Sequence, residues 1–324
     1  MSSPPMLKFH KLIIFRKYTY MKKLLSIAFA SLALLASCKN SESLSQQKAP
    51  LPAFDAEGHR GARGLMPENS IPAMIKAIDL GVTTIEMDCH ITRDGKVIVT
   101  HDPHISHLYA RTPEGSDFTR EESQQYRVYQ MDYEQVRRFD IGSKPFDLFP
   151  RQQKMKAHIP LLTDLIDSVQ TYLKANNLPQ VFYNIEVKSK EGKENEYHPE
   201  PARFTQLVVE AVEQKGITPY VIIQSFDKRA LQALHQNYPH IRASLLVSNE
   251  DSFEENIKQL GFTPDIYSPH QKLVTEELVK KCHEQNIKVV PWSVNTAEGI
   301  AQLKALGVDG IISDYPDLFT EQQL

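Results

Sequence analysis

The sequence predicts a (β/α)8 barrel with a small insertion after the second strand. Three observations lead there. From residue 53 onward, short β-branched or apolar runs alternate with amphipathic segments, eight strand candidates in about 270 residues. Several of the amphipathic segments stop at a glycine (Gly81, Gly216, Gly261, Gly307), as helix C-termini do. No G-x-G-x-x-G or G-x-x-x-x-G-K-[ST] opens any unit, which argues against a doubly wound open sheet, the alternative for this rhythm.

The elements follow in order. The first strand covers 53–58, a helix 69–80 and the second strand 83–89. Arg93-Asp94-Gly95 makes a hairpin turn, and 96–100 returns as its second arm. Residues 102–158 then break the rhythm. They are rich in Tyr, Arg and Gln, with short helices expected at 121–126 and 132–138. An insertion at strand ends shapes a substrate mouth. Beyond it, helices over 161–174, 203–215, 228–237, 253–260, 275–285 and 297–306 separate strands over 181–187, 220–225, 241–247, 265–268, 288–294 and 309–313.

The N-terminus carries an address. Lys22 and Lys23 precede an uncharged run from Leu24 to Ala36, so 21–37 reads as a secretory signal, too short for a comfortable span. An uncleaved anchor helix is the alternative. Leu35-Ala36-Ser37-Cys38 resembles a bacterial lipobox, whose cysteine is lipid-modified and becomes the first mature residue. Basic residues 1–20 lie upstream of a complete signal and read as an over-called start, with Met21 the true one. Polar, proline-flanked 38–52 reads as a tether and 53–324 as the barrel. The expected location is the bacterial cell envelope, anchored to the membrane and facing the periplasm. Lys39 after the cysteine favours the outer membrane.

Composition sets further bounds. The 324 residues are 41% hydrophobic and 24% charged, which excludes a polytopic membrane protein, a collagen or a mainly disordered chain. Three cysteines exclude a disulfide-built fold. Apart from Cys38, Cys89 and Cys282 are the only thiols, either bridged or lying separately in the core. A net charge of −3 leaves no basic field for nucleic acid. That figure is an average. Residues 1–37 hold six Lys/Arg and no acid, so 38–324 carry 31 basic and 40 acidic residues, net −9.

Some polar residues do not belong in strands. Side chains alternate faces along a strand, so Glu86 and Asp88 share one face and Ile85, Met87 and Cys89 the other. Asn184, Glu186 and Lys188 likewise oppose Ile185 and Val187. The apolar set packs under helices, so the acids point inward at the C-terminal strand ends, where barrel enzymes keep their chemistry. Three acids there repel one another by several kcal/mol, and a divalent cation with hard oxygen ligands removes that repulsion. Ion pairing with Lys188 and Arg60 is the alternative. His59 ends the first strand and His101 the hairpin arm, two proton carriers beside the acids. Gly58, Gly61 and Gly64 allow close backbone approach to an anion, and Arg60 offers phosphate a planar fork. A zinc cluster of His101, His104 and His107 is disfavoured, because Pro103 breaks the spacing and no cysteine joins it.

Taken in order, His59-Arg60-Gly61, Pro67-Glu68-Asn69-Ser70, Glu86-x-Asp88, Thr92-Arg93-Asp94-Gly95, His101-Asp102-Pro103, Asn184-x-Glu186-x-Lys188, Gln224-Ser225-Phe226-Asp227 and Trp292-x-Val294-Asn295 resemble the glycerophosphodiester phosphodiesterase family. The family's usual Thr is Ser70 here. The resemblance implies a TIM barrel with the insertion described. It implies Glu86, Asp88 and Glu186 as ligands for Ca²⁺ or Mg²⁺ and His59 and His101 as the acid/base pair, with the assignment between them open. Arg60 and Lys188 then hold phosphate. Trp292 lines the mouth against glycerol or the leaving group. Glu68 supports the site from behind or caps the first helix, and Gln224 acts indirectly. The implied reaction cleaves a small glycerophosphodiester to glycerol 3-phosphate and an alcohol, through a cyclic phosphate or by direct attack of water. A related barrel phospholipase on lysophospholipid or sphingolipid, and a surface lipoprotein that binds phosphodiesters without turnover, are the alternatives.

Overall fold

Strands whose polar residues face inward and apolar residues outward assemble the barrel. The computed structural model describes residues 48–320. The expected start at 1–20, the signal at 21–37, Cys38 and the tether up to residue 47 lie outside the described residues. The strands of the barrel are β1 (Asp55–Gly58), β2 (Thr84–Ile91), β4 (Phe182–Val187), β5 (Val221–Ser225), β6 (Arg242–Val247), β7 (Ile266–Pro269), β8 (Lys288–Val289) and β9 (Gly310–Ser313). Their order is β8-β7-β6-β5-β4-β2-β1-β9, with every pairing on this path parallel. The hairpin arm β3 (Val97–Val99) pairs antiparallel with β2.

Closure falls between β8 and β9. Asp309 N donates to Val289 O at 2.9 Å, Ile312 N to Pro291 O at 3.0 Å and Val294 N to Ile312 O at 2.9 Å. The strand expected over 288–294 shortens to Lys288–Val289, because Pro291 has no N–H to give a regular ladder.

Helices cover the outside. They include α1 (Ile71–Asp79) and, after the insertion, α4 (Leu162–Ala175) and α5 (Pro201–Gln214). The insertion holds two four-residue helices, α2 (Arg120–Ser123) and α3 (Tyr133–Val136). Ile85, Met87, Cys89, Ile185 and Val187 are fully buried beneath the outer helices, as the alternation requires. Cys89 and Cys282 are both buried and unbridged. The insertion builds its own small core around Tyr109, Phe118, Val128, Phe139 and Ile159, which makes it a folded cap and not a loop.

The last five residues of the segment expected to be a tether pack on the barrel. Residues 48–52 belong to the barrel: Lys48 pairs with Asp265 at 2.9 Å, Ala49 N donates to Pro219 O at 3.0 Å, and Arg242 donates to Ala49 O. Leu51 packs against the interior cluster of Ile222, Ile266, Val290 and Ile312. Sequence polarity hid this docking, since its bonds are mainly to backbone.

Candidate active site

The C-terminal ends of the strands gather the polar residues. Glu86 and Asp88 on β2 and Glu186 on β4 are buried, and one carboxylate oxygen from each lies within 4.8 Å of the others. Register brings them together, since Asp88 pairs directly with Glu186 across the β2–β4 ladder. His59, Arg60, Arg63, His101, Lys188 and Trp292 join the three acids around a cavity of about 300 Å³.

The three acids differ in their partners. Asp88 lies 3.2 Å from Arg60 Nε and 3.4 Å from Lys188 Nζ, and it accepts from Asn69 Nδ2 at 2.8 Å. Burial pushes its pKa up, but Arg60 and Lys188 outweigh burial and hold the carboxyl well below the ordinary range. Glu186 contacts Lys188 at 3.1 Å. Glu86 accepts from the Arg60 backbone N at 2.8 Å and from Gln224 Nε2 at 2.8 Å, and faces His59 Nε2 at 4.0 Å. Burial and then the charge on Asp88 push the Glu86 carboxyl well above its ordinary value. Burial likewise keeps the Glu186 carboxyl above its ordinary value, against the pull of Lys188 and with the charge on Asp88 adding to it. Ion pairing therefore offsets burial at Asp88 and leaves Glu86 and Glu186 short of positive charge. A hard divalent cation fits this donor set.

Both histidines are oriented by carboxylates. His59 Nδ1 sits 2.6 Å from Asp314 Oδ1, which leaves Nε2 facing Glu86 at 4.0 Å. His101 Nδ1 sits 2.8 Å from Asp102 Oδ1. Burial lowers the His59 pKa, against the pull of Asp314. Asp314 is itself held by Asn295 Nδ2 at 2.6 Å. His90 on β2 is bonded to the His101 carbonyl at 3.0 Å and steadies the second histidine.

Other expected residues take specific places. Glu68 bridges Arg60 Nη1 at 2.7 Å and Arg63 Nε at 2.8 Å. It does not cap α1; Ser70 does, accepting from Ala73 N at 3.3 Å. Arg60 and Lys188 both line the cavity while paired to acids, and each keeps further N–H groups for an anion. Trp292 donates to Ser268 O at 2.9 Å and meets Phe226 edge-on at 5.4 Å, forming the apolar wall.

The glycines do not form an anion cradle. A Cβ on Gly58 would meet Gly61 O at 2.4 Å, one on Gly61 the Ala73 backbone at 2.5 Å, and one on Gly64 the Tyr315 ring at 2.3 Å. Their bare faces are covered by the protein itself. They let the turn after β1 pack on α1, with Arg60 at φ +50° and Gly61 at φ +81°.

The profile of the glycerophosphoryl diester phosphodiesterase family matches residues 59–318. The chain belongs to that family. A Bacillus altitudinis glycerophosphodiester phosphodiesterase is 27% identical over 263 residues, 80% of this chain and 94% of its own. A crystal structure from Silicibacter pomeroyi is 28% identical with a TM-score of 0.73, over 86% of this chain and 95% of that one. An Oleispira antarctica phosphodiesterase solved with the product sn-glycerol-3-phosphate shares the fold at TM-score 0.64 and 22% identity, over 84% and 96% of the two chains.

Sequence reasoning gave no role to several residues of this family member's site. Asp314 and Asp102 orient the histidines, and Arg63 completes the Glu68 clamp. Glu57 is buried below Glu86 and accepts from Asn184 Nδ2 at 2.8 Å. Asn184 also donates to Gln224 at 3.2 Å, and Gln224 in turn holds Glu86. Burial, and next the charge of Asp55, push the Glu57 carboxyl well up. Asp314 had a usable signal: it is an acid at the C-terminal end of the last strand, the same position rule that picked out Glu86 and Glu186.

Proposed function

We propose that this chain hydrolyses glycerophosphodiesters to glycerol 3-phosphate and an alcohol, with His59 and His101 moving the protons and Glu86, Asp88 and Glu186 holding Ca²⁺ or Mg²⁺. The observation that carries this is the pair of histidines lining one cavity with the acid cluster, each with Nδ1 held by an aspartate. That arrangement presents both Nε2 atoms to a substrate. Family membership and the relatives' named activity and product point the same way.

When bound, the cation offsets phosphoryl charge and lowers the pKa of a nearby hydroxyl. Arg60 and Lys188 bind the phosphate oxygens. His59 lines only the smaller cavity and is assigned the base; His101 lines that cavity and a larger groove beside it and is assigned the acid. The glycerol 2-hydroxyl gives its proton to His59 Nε2 as its oxygen bonds to phosphorus. The bond from phosphorus to the other alcohol breaks, and His101 supplies that alcohol's proton. Water then opens the cyclic phosphate. His101 takes a proton from the water, the ring bond to the 2-oxygen breaks, and His59 returns its proton.

Release of glycerol 3-phosphate from glycerophosphodiesters is expected to stop in EDTA and return with Ca²⁺ or Mg²⁺. His59→Ala and His101→Ala are each expected to lower kcat by about 10²–10⁴. Full activity in EDTA sinks the cation assignment, and full activity of either variant sinks the proton assignment. Faster turnover of lysophosphatidylcholine than of deacylated diesters would favour the phospholipase alternative. The signal and Cys38 support attachment to the bacterial envelope. Cys38→Ser is expected to move the protein out of the membrane fraction, and its retention there overturns the anchor.

A further inference from the structure

Beside the small cavity lies a groove of about 820 Å³, which shares His101, Glu186, Lys188 and Phe226 with it. The loops after β4 and β5 and the insertion form its walls. A phosphodiester has two alcohol arms on one phosphorus, and the two cavities meet where the phosphorus must sit, at His101 and Lys188. The smaller cavity is walled by Leu246, Trp292 and Ile312, so it takes the short arm that every substrate shares. The open groove takes the arm that varies.

The charge pattern of the groove says which arms fit. Its carboxylates are mostly spent. Asp102 holds His101 at 2.8 Å, Glu186 contacts Lys188 at 3.1 Å, and Asp227 takes two bonds from Arg229 at 2.9 and 2.7 Å. Among the described residues only Glu191 there has no basic partner, and it sits on an exposed turn next to Lys190. Two aromatic rings line the groove and could seat a quaternary ammonium: Tyr197 already carries Arg127 at 4.9 Å and Lys193 at 5.3 Å, and Phe226 meets Trp292 edge-on at 5.4 Å. The cations are less committed. Lys190 has no carboxylate partner among the described residues, and Lys228 donates to the neutral Gln259 amide at 2.7 Å. These groups repel an ammonium and offer donors to hydroxyl oxygens.

We propose that this groove is the leaving-group site and that it selects a bulky, hydroxyl-rich alcohol over a quaternary ammonium alcohol, with Lys190 and Lys228 setting the preference. The inference rests on the diesterase reading above and names the substrate class within it. The test compares glycerophosphoinositol, glycerophosphocholine and glycerophosphoglycerol on the full chain with Ca²⁺ or Mg²⁺ present. The inositol diester is expected to exceed the choline diester in kcat/KM by about tenfold or more, a difference of about 1.4 kcal/mol. The double variant Lys190→Glu/Lys228→Glu is expected to cut that ratio about tenfold, chiefly through KM. Equal turnover of all three diesters overturns the groove assignment alone. So does an unchanged ratio in a double variant that melts like the wild type. The neutral pair Lys190→Gln/Lys228→Gln gives the same reading, at smaller size, if the charge reversals fail to fold. No turnover of any of the three overturns the diesterase reading and the groove with it.

Discussion

At the scale of single residues, the side chains that orient others matter as much as those that face the cavity. His59 can take a proton at Nε2 only if Nδ1 keeps its hydrogen, and Asp314 at 2.6 Å holds it there. Asp314→Asn removes the negative charge that opposes burial in setting the His59 pKa. The expected result is a loss of about 10²-fold or more in kcat, with little change in KM. The acid limb of the pH–rate profile should also move to lower pH, since His59⁺ loses its counter-charge. Steady-state kinetics from pH 5 to 9 checks both, and an unchanged kcat means that Asp314 does not act through His59.

At the scale of elements, barrel closure runs through the shortest of the barrel strands. Lys288–Val289 is tied to β9 through Asp309, which accepts from Lys288 Nζ and from Val289 N, each at 2.8 Å. Burial raises the Asp309 pKa, but these bonds and the one from His283 outweigh burial and hold it below the ordinary carboxylate range. A depressed folded-state pKa adds stability above the unfolded value, about 4, and that stability is lost as pH falls through the folded value. Asp309→Ala is therefore expected to cost about 1.5–3 kcal/mol at pH 7. The gap between variant and wild type should shrink as pH drops below about 4. Urea unfolding at pH 7 and pH 3 measures it, and a gap that widens in acid contradicts this account of the closure.

At the scale of the whole molecule, acidity is the theme. Residues 38–324 carry a net −9, and part of that charge converges on Glu86, Asp88 and Glu186. A ligand that binds only the folded chain stabilises it, by about 2.7 kcal/mol at a hundred times its Kd. Ca²⁺ or Mg²⁺ is therefore expected to raise Tm in a saturable way, by on the order of 5 °C. Glu186→Gln should abolish the saturable part. Thermal melts across a cation titration decide this without any substrate, and an identical titration in the variant removes Glu186 from the ligand set.

The strand–helix rhythm, the inward acids and the strand-end histidines were all legible in the chain. They rest on local periodicity: two residues per turn of a strand, 3.6 of a helix, glycine at a helix end. The ordered motifs did the rest for the family. Pairings that close over long separations were not legible. His59 meets Asp314 across 255 positions, and Gln224 reaches Glu86 across 138. Nothing in either local pattern marks its partner. The same holds for the glycines after β1, whose missing Cβ atoms make room for α1 and Tyr315, and for Lys48 and Ala49, whose partners lie at the far ends of other strands. By itself the sequence determined which side chains face inward and at which end of the barrel they sit. Only the closed barrel decided that Asp314 holds His59, that Gln224 holds Glu86, and that two cavities of unequal size meet at His101 and Lys188, because each depends on atoms brought together by ring closure and not by neighbourhood in the chain.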